Sequence, residues 1–293
     1  MRLDTPVALF LFNRPTMTAE VFARIARARP KRLLLIADGP RDQAEAAVCQ
    51  AARAAVEKID WDCQVLRNYS ETNLGCRVRC SSGLDWVFDQ CEQAIILEDD
   101  CIPCDSFFPF CEEMLRYYRF NQRIMHIAGT NQQPAGWSCQ DSYYFSKYPN
   151  IWGWATWRRA WRTFDVDLNL WSAFRDSGRL AAICPDPTEA EMWTNHFDLV
   201  CFERFNTWDY QWTFNCWANN GLSVIPAVNL VSNVGYGPGA THTTKVDAFA
   251  NRPTYELPFP LRHPKTMETL KAADVFTFEE AYGGRRLRRR RAG

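Results

Sequence analysis

The sequence predicts an α/β protein in which helices cover both faces of a mostly parallel sheet. Short apolar runs alternate with helical patterns through the first half of the 293 residues. Hydrophobic residues make up 47% and charged residues 23%, which allows a buried core and argues against disorder. Crossover connections should be right-handed, and ligands should bind beyond the carboxyl ends of the strands.

Four short apolar runs are the predicted strands of the first half. They are Val7 to Phe12, Leu33 to Ile36, Gln64 to Leu66 and Ala94 to Leu97. Continuous apolar runs are typical of strands that are buried on both faces. Helical patterns fill the intervals. They predict a helix capped by Thr18, one from Gln43 to Ile59, one starting at Ser81 or Ser82, and one capped by Asp105 or Ser106.

From about residue 137 the chain becomes dense in aromatic residues. Four tryptophans fall within ten positions, at 152, 154, 157 and 161. Clustered indoles usually belong to a core. We assign residues 1–130 to a first half, 131–250 to a second half that shares its core, and 251–293 to a C-terminal extension.

The balance of charge argues against nucleic-acid binding, since 34 Lys and Arg residues face 34 Asp and Glu residues. The basic tail, residues 285–291, is expected to be a solvated, disordered terminus. The alternative is peripheral contact with anionic lipid headgroups.

The pattern of apolar residues favours a cytoplasmic protein, with the inner membrane face as the alternative place of contact for its tail. No stretch approaches the roughly 20 apolar residues of a membrane span. The first apolar run is short and has no cleavage site after it, so we interpret it as a strand. The twelve cysteines should then be mostly reduced thiols. Cys101 and Cys104 form one C-x-x-C without a second, so a zinc site is not expected.

Three adjacent carboxylates, Glu98, Asp99 and Asp100, follow the fourth predicted strand directly. They would repel one another unless a cation lay among them, and Mg²⁺ and Mn²⁺ prefer carboxylate oxygen. The alternatives are a solvated acidic loop and a helix cap. Asn13-Arg14 and Asp38-Gly39 also follow strands, so three separate segments are predicted to converge on one sheet edge.

The segment around these carboxylates, NLGCRVRCSSGLDWVFDQCEQAIILEDDCIPCDSFFPFCEEML, resembles the donor-site core of GT-A glycosyltransferases. It is similar to the N-acetylglucosaminyltransferase I family and to bacterial glycosyltransferase-like proteins. The resemblance implies a Rossmann-like GT-A fold and a nucleotide-sugar donor, with a UDP-sugar the first candidate. It also implies that Asp100 binds Mn²⁺ or Mg²⁺, with Glu98 and Asp99 near the sugar or ribose.

The same resemblance suggests further donor contacts outside the carboxylate cluster. The candidates are Asn13 and Arg14 for the base or diphosphate, Asp38 for the uracil or ribose, and Gly75 and Arg77 for the nucleotide-sugar. His242, in the glycine-rich stretch NVGYGPGATHTT, is a candidate second metal ligand. A lone histidine is otherwise structural or simply exposed.

Asp209 is the candidate catalytic base, because it is flanked by Trp208 and Trp212 and a carboxylate among indoles is partly desolvated. The resemblance supports this role and implies inversion at the anomeric carbon. The alternative is that Asp209 is the N-cap of a helix running from Tyr210 to Trp217. Trp154 and Trp208 are expected on the acceptor side.

The predicted activity is therefore transfer of a hexosyl or N-acetylhexosaminyl group to a hydroxyl of a glycan, lipid-linked or protein acceptor, as in polysaccharide biosynthesis. One alternative is a nucleotidyltransferase, which the glycine-free turn Asn13-Arg14-Pro15-Thr16 disfavours. The other is a carbohydrate-binding protein that kept the fold and lost turnover.

Overall fold

A computed structural model of the chain describes residues 2–236 and 249–292. Within these ranges the strands are β1 (Val7–Leu11), β2 (Arg32–Ala37), β3 (Gln64–Tyr69), β4 (Gln93–Glu98), β5 (Cys101–Pro103), β6 (Ile124–Ala128), β7 (Tyr143–Ser146), β8 (Trp154–Trp157), β9 (Leu222–Pro226) and β10 (Val231–Asn233). The helices are α1 (Pro15–Ala28), α2 (Gln43–Ala54), α3 (Gly75–Gln90), α4 (Phe107–Tyr117), α5 (Arg158–Trp161), α6 (Trp171–Asp176), α7 (Arg179–Ile183), α8 (Pro187–Glu203), α9 (Asp209–Ala218), α10 (Lys271–Glu280) and α11 (Gly284–Ala292).

The central sheet has the order β3-β2-β1-β4-β8-β6-β9-β7. Strands β1 to β4 pair in parallel, and β6 and β9 run in the same direction as they do. Only β8 and β7, among these strands, run against the rest. The predicted mostly parallel α/β sheet is therefore confirmed. Strands from both halves of the chain belong to it, because β8 pairs directly with β4.

The core lies on both faces of this sheet because successive strand residues point to opposite sides. In β1, Val7, Leu9 and Leu11 pack with α1 and α4, whereas Ala8 and Phe10 pack with α3 and α9. All five are buried. Most tryptophans of the second half, including Trp154 and Trp212, lie in the second of these layers, whereas Trp157 packs in the first.

Two of the four predicted helix starts are wrong, whereas α2 begins at Gln43 and α4 has Ser106 at its N-cap position, as predicted. Helix α1 begins at Pro15, and the Thr18 hydroxyl lies inside it, donating to the carbonyl of Arg14 at 2.8 Å. Helix α3 begins at Gly75 rather than at Ser81 or Ser82. Helix α2 ends at Ala54, before the predicted end at Ile59.

A second, two-stranded sheet was not predicted. In it β5 pairs with β10 in antiparallel fashion, which brings Asn233 opposite Cys101 and next to the end of β4. The twelve cysteines are free thiols, and Cys104 donates to the carbonyl of Tyr255 at 3.4 Å.

The C-terminal extension folds back on the sheet, and its tail is helical. The prediction of a disordered tail is wrong for the described part, because α11 is a helix in which Arg288 pairs with Asp186 and Glu279. Arg285 pairs with Glu280 at 2.9 Å. These ion pairs explain why so basic a segment stays on the protein. No helix in the described ranges has the length and apolarity needed to cross a bilayer.

Candidate active site

Two adjoining cavities lie at the carboxyl edge of the parallel strands. The first, about 220 Å³, lies between the ends of β1, β2 and β4 and is here called the β1–β2 cavity. The second, about 490 Å³, lies between the end of β4 and the start of α9 and is here called the aromatic cavity. Both are lined by Arg14, Cys76 and Glu98, so the two cavities adjoin at these side chains and are here together called the cleft.

Asp38, at the end of β2, organises the wall of the β1–β2 cavity. Its buried carboxylate accepts hydrogen bonds from the backbone N–H groups of Gly39, Leu74 and Gly75 at 2.9, 2.9 and 3.1 Å. The side-chain amide of Asn73 adds a further bond at 3.1 Å. The carboxylate therefore fixes the start of α3, where Gly75 has a φ of +77° that favours glycine.

The carboxylates at the end of β4 crowd one another. Burial, and then the charges of Asp100, Cys76, Asp99 and Asp209, raise the pKa of Glu98 well above its ordinary range. Burial and Asp100 raise the pKa of Asp99 to about 7, although Arg14 opposes the change. Asp99 also accepts the backbone N–H of Phe12 at 3.0 Å. In their charged forms these carboxylates therefore repel one another, and a bound cation would reduce that repulsion.

The protein supplies one positive charge of its own to this cluster, the guanidinium of Arg14. Its guanidinium pairs with Asp100 at 2.6 Å and with Asp99 at 3.3 Å. The Asn233 amide lies 3.4 Å from the other oxygen of Asp100, so β10 helps to hold that carboxylate. A Cβ at position 235 would overlap the Asp100 carboxylate, which explains the glycine there.

The carboxylates of the cleft fit a divalent cation only if a substrate supplies the remaining ligands of its coordination shell. Within residues 2–236 and 249–292, no three His, Cys, Asp or Glu side chains are arranged to hold a metal by themselves. Mg²⁺ usually needs only one or two protein carboxylates and takes waters and substrate phosphates as its other ligands. Glu98 and Asp100 present such carboxylates to the aromatic cavity. His242 lies outside the described residues.

Asp209 also lines the aromatic cavity, and its charge contributes to the raised pKa of Glu98. The interpretation of Asp209 as an N-cap is wrong, because Trp208 holds that position and Asp209 is the first residue of α9. The hydroxyl of Thr207 donates to Oδ1 of Asp209. Among the described residues Oδ2 has no hydrogen-bond partner, so this oxygen is available to a ligand.

The indoles expected on the acceptor side differ in their access to this cavity. Trp208 and Trp152 line it. Trp154 is fully buried in the sheet and does not line it. Its ring stacks on His126 at 5.0 Å and on Trp208 at 5.6 Å between centroids. The expectation for Trp154 is therefore corrected: the residue supports Trp208 from below and offers no face to a sugar.

Two of the predicted donor contacts lie outside the cleft. Arg77 is buried and donates to Asp167 at 2.7 Å and to the carbonyl of Val166 at 2.8 Å. Asn13 donates to Glu45 at 2.7 Å. Neither residue lines the cavities, so their contacts join structural elements and do not face a ligand.

Sequence reasoning missed several residues that line the cleft, including Cys76, Cys80 and Arg79 from α3. Once the helix is known to start at Gly75, their spacing of three and four positions indicates one shared face. The wrong helix start hid this signal. Tyr210 and Tyr282 also line the aromatic cavity, and Tyr282 comes from the C-terminal extension, which no pattern linked to the site.

Comparison with known proteins adds little to this geometry. No protein-family model and no curated protein matches the chain. One similar solved structure is UDP-glucose pyrophosphorylase complexed with UDP-glucose. It is 9% identical, with a TM-score of 0.39 over 83% of this chain and 96% of that one. A likeness this distant carries no argument about function.

Proposed function

We propose that this chain is a GT-A-type glycosyltransferase that moves a sugar from a nucleotide-sugar to an acceptor hydroxyl with inversion. One observation carries the proposal. The β1–β2 cavity and the aromatic cavity adjoin, and the aromatic cavity is lined both by Glu98 and Asp100 at the end of β4 and by Asp209. That arrangement supplies a place for the donor, for its leaving group and for a base.

The β1–β2 cavity is the proposed site of the nucleoside, with uridine the first candidate. Ligands of open α/β sheets bind beyond the strand carboxyl ends, and this cavity lies there. Phe12 and Arg41 lie on its rim, with the guanidinium 5.5 Å from the ring centroid. The diphosphate would then lie beside Arg14, which lines both cavities and carries the positive charge that a leaving diphosphate needs.

A divalent cation is proposed to take part as well. Asp100, with Glu98 beside it, would hold Mn²⁺ or Mg²⁺, whose charge would offset that of the departing diphosphate. Asp100 would have to exchange its 2.6 Å contact with Arg14 for the cation. Arg14, which also pairs with Asp99 at 3.3 Å, would then contact the diphosphate.

Asp209 is the proposed general base. Oδ2 of Asp209 takes the proton of an acceptor hydroxyl, whose oxygen attacks the anomeric carbon from the face opposite the nucleotide. The bond from that carbon to the diphosphate oxygen breaks, and its electron pair leaves with the nucleoside diphosphate. Thr207 holds the other carboxylate oxygen, which fixes the direction of proton transfer.

The proposed substrates on the acceptor side are hydroxyls of glycan, lipid-linked or protein acceptors, with a hexosyl or N-acetylhexosaminyl group as the sugar transferred. Trp152 and Trp208 line the aromatic cavity. Indoles combine a large apolar face with a polar N–H, which suits the C–H faces and hydroxyls of a sugar. A role in polysaccharide biosynthesis agrees with these substrates.

The first test is a thermal-shift screen with UDP, GDP, CDP and dTDP, each with and without Mn²⁺. Binding to the folded state raises the melting temperature by mass action. We expect a metal-dependent rise with UDP, and we expect Asp100→Ala to abolish it. Asp60→Ala is the matched control, because Asp60 is an exposed carboxylate that lines none of the cavities.

The outcomes separate the candidate functions. A nucleotide shift that survives in Asp60→Ala and is lost in Asp100→Ala supports the proposed donor site and identifies the donor base. No shift with any nucleotide, in wild-type protein that melts cooperatively, would contradict the proposal and favour the carbohydrate-binding alternative.

A further inference from the structure

A third cavity, of about 900 Å³, opens beside the aromatic cavity and is here called the arginine cavity. Its described wall comes from residues 131–137, 227–229, 249–255 and 276–289. Gln132, Phe249, Ala281 and Tyr282 line both this cavity and the aromatic cavity. A molecule that reaches Asp209 from outside can therefore extend into the arginine cavity without leaving the protein surface.

Among the lining residues that the structure describes, arginines outnumber carboxylates. Arg252, Arg285, Arg286 and Arg289 line it, together with the carboxylates of Glu279 and Glu280. Both carboxylates already have partners, since Arg288 binds Glu279 and Arg285 binds Glu280 at 2.9 Å.

Three guanidinium groups of this cavity have no carboxylate partner among the residues that the structure describes. In residues 2–236 and 249–292, no Asp or Glu lies within ion-pair distance of Arg252, Arg286 or Arg289. The planar fork of an arginine suits a phosphate or a carboxylate, which it can bind through two parallel hydrogen bonds.

Arg252 is held in place by the protein. Its guanidinium donates to the carbonyl of Asn131 at 3.0 Å and to that of Gln133, and it lies 5.6 Å from the ring centroid of Phe249. Burial lowers the pKa of Arg252 although Tyr255 and Tyr144 oppose the change, so the charge is partly desolvated. A fixed, desolvated cation of this kind strengthens binding of an anion.

The same cavity offers aromatic surface for a sugar ring. Trp137 and Tyr255 line it, and both are at least partly exposed. The indole of Trp137 is fixed by an edge contact with Tyr144, at 5.2 Å between centroids. A concave site that combines aromatic faces with a few convergent charged groups is typical of small-ligand sites and differs from a flat membrane-binding surface.

We propose that the arginine cavity binds an anionic group, a phosphate or a uronate carboxylate, on the acceptor saccharide. This inference rests on the proposed glycosyltransferase function and adds the acceptor class to it. The acceptor hydroxyl lies at Asp209, the saccharide passes Tyr282 and Phe249, and its anionic group meets Arg252, Arg286 and Arg289.

Binding measurements with paired probes test this assignment. The probes are an oligosaccharide ending in glucuronate, the same oligosaccharide ending in glucose, and the glucose form carrying a 6-phosphate. Calorimetry with wild-type protein should show at least one anionic probe binding about tenfold more tightly than the neutral one, a difference of about 1.4 kcal/mol. The probe that gains affinity identifies the carboxylate or the phosphate.

The variant Arg286→Gln/Arg289→Gln should reduce that preference by about tenfold, as loss of a charged hydrogen bond predicts. Both side chains are exposed and form no ion pair with any Asp or Glu in the described part of the chain, so the fold should survive their replacement. The matched control is Arg116→Gln/Arg119→Gln, which removes two exposed arginines that line none of the cavities. This control should keep the wild-type preference.

The outcomes distinguish failure of this inference from failure of the proposed function. Equal affinity for neutral and anionic probes, in protein that still shows a nucleotide-dependent thermal shift, overturns the anionic acceptor alone. Absence of the nucleotide shift overturns the function itself.

Binding to vesicles of anionic phospholipid is measured as well, for wild-type protein and for the double variant. If the double variant loses vesicle binding while wild-type protein shows no anionic saccharide preference, the arginines serve a membrane surface and the inference is wrong.

Discussion

Asp209 and Thr207 are the residues on which the proposed chemistry depends most. Replacing Asp209 with Asn keeps the shape of the side chain but removes the base. We expect Asp209→Asn to lower the rate of sugar transfer by about 10²–10⁴-fold. The nucleotide-dependent thermal shift should remain, because the β1–β2 cavity is unchanged. Release of nucleoside diphosphate from the donor, with acceptor present, measures the rate.

Thr207 supplies the control for this prediction. Thr207→Val removes the hydroxyl that orients Asp209, whereas Thr207→Ser keeps it. The valine variant should therefore lose part of the rate and the serine variant should recover it. Wild-type turnover in Asp209→Asn would contradict the assignment of the base.

His126 is a buried residue whose surroundings fix its protonation. One ring nitrogen faces the carbonyl of Asn150 at 2.9 Å, and the other accepts the indole N–H of Trp212 at 3.1 Å. The neutral ring with its proton on Nε2 satisfies both contacts. Burial lowers the pKa of His126 to about 3, although the Asn150 carbonyl opposes the change.

The stability of the protein should therefore fall in mild acid. In the unfolded chain His126 takes up a proton near pH 6.5, while in the folded protein it stays neutral down to about pH 3. The unfolded state binds more protons in this window, so acid favours it. Lowering the pH from 7 to 5 should cost roughly 2 kcal/mol through His126 alone.

Urea denaturation at several pH values checks this expectation. His126→Phe keeps a ring against Trp154 and cannot take up a proton, so the free energy of unfolding should depend less steeply on pH between 7 and 5. If the variant kept the wild-type pH dependence, His126 would not be the group responsible.

At the scale of secondary structure, the strands were more predictable than the helix ends. Strand β1 is apolar at every position and buried on both faces, so its sequence alone indicates it. The start of α3 depends on Asp38, which accepts the N–H groups of Leu74 and Gly75 from a distant part of the chain. The sequence around Gly75 gives no sign of this contact with Asp38. The helix was therefore predicted to start at Ser81 or Ser82.

The candidate site was predictable to a similar extent. Arg14, Asp38 and Glu98 could be brought together because parallel strands end at one edge. Arg77 and Trp154 were misplaced because residue type and neighbouring motifs do not reveal which way a side chain points. Tyr282 was missed because its approach depends on the path of the C-terminal extension.

Helix α3 packs closely on the sheet at Gly83, so a larger residue at this position should affect stability. A Cβ at position 83 would lie 2.6 Å from the Phe10 ring and 2.9 Å from a methyl carbon of Ile36. Overpacking of this kind costs about 1–3 kcal/mol. Gly83→Ala should therefore lower the free energy of unfolding, even though alanine favours helix by about 1 kcal/mol.

Chemical denaturation of two neighbouring variants measures this cost. Ser82→Ala is the matched control, because the Ser82 hydroxyl bonds only within its own helix, to the carbonyl oxygens of Val78 at 2.7 Å and Arg79 at 3.5 Å. It should change stability by less than about 0.5 kcal/mol. Equal stability of both variants would show that Phe10 and Ile36 can move aside.

At the scale of the whole molecule, the C-terminal extension ties the two halves of the chain together. Leu257 and Leu261 pack into the core on the face that α1 and α4 cover. On the other side, the carboxylate of Asp274 accepts the hydroxyl of Ser146 at 2.5 Å. The extension also supplies Tyr282 to the aromatic cavity, so stability and the site depend on the same segment.

Glu256 connects the C-terminal extension to the start of α4. Its carboxylate accepts the backbone N–H groups of Asp105 and Ser106 at 3.3 and 2.9 Å, and also the Ser106 hydroxyl. These bonds lie at the start of α4, where no side chain of the helix itself forms a cap. Glu256→Ala should lower the free energy of unfolding by about 1 kcal/mol, the usual loss for a helix cap.

The dependence of this effect on pH separates a cap from a simple packing contact. Burial opposes the change, but the hydrogen bonds from Ser106 and Asp105 lower the pKa of Glu256. The folded state thus keeps the charged form to lower pH than the unfolded chain, whose glutamate titrates near pH 4.3. The stabilisation is complete above that pH and is lost as the pH falls through the folded pKa. The difference in melting temperature between wild type and Glu256→Ala should therefore be largest near neutral pH and shrink in acid.

The matched control is Glu268→Ala, because Glu268 is an exposed glutamate of the same segment. Its melting temperature should equal that of wild type at every pH. A difference for Glu256→Ala that stayed constant down to pH 3 would mean that packing, and not the charged cap, holds the extension to α4.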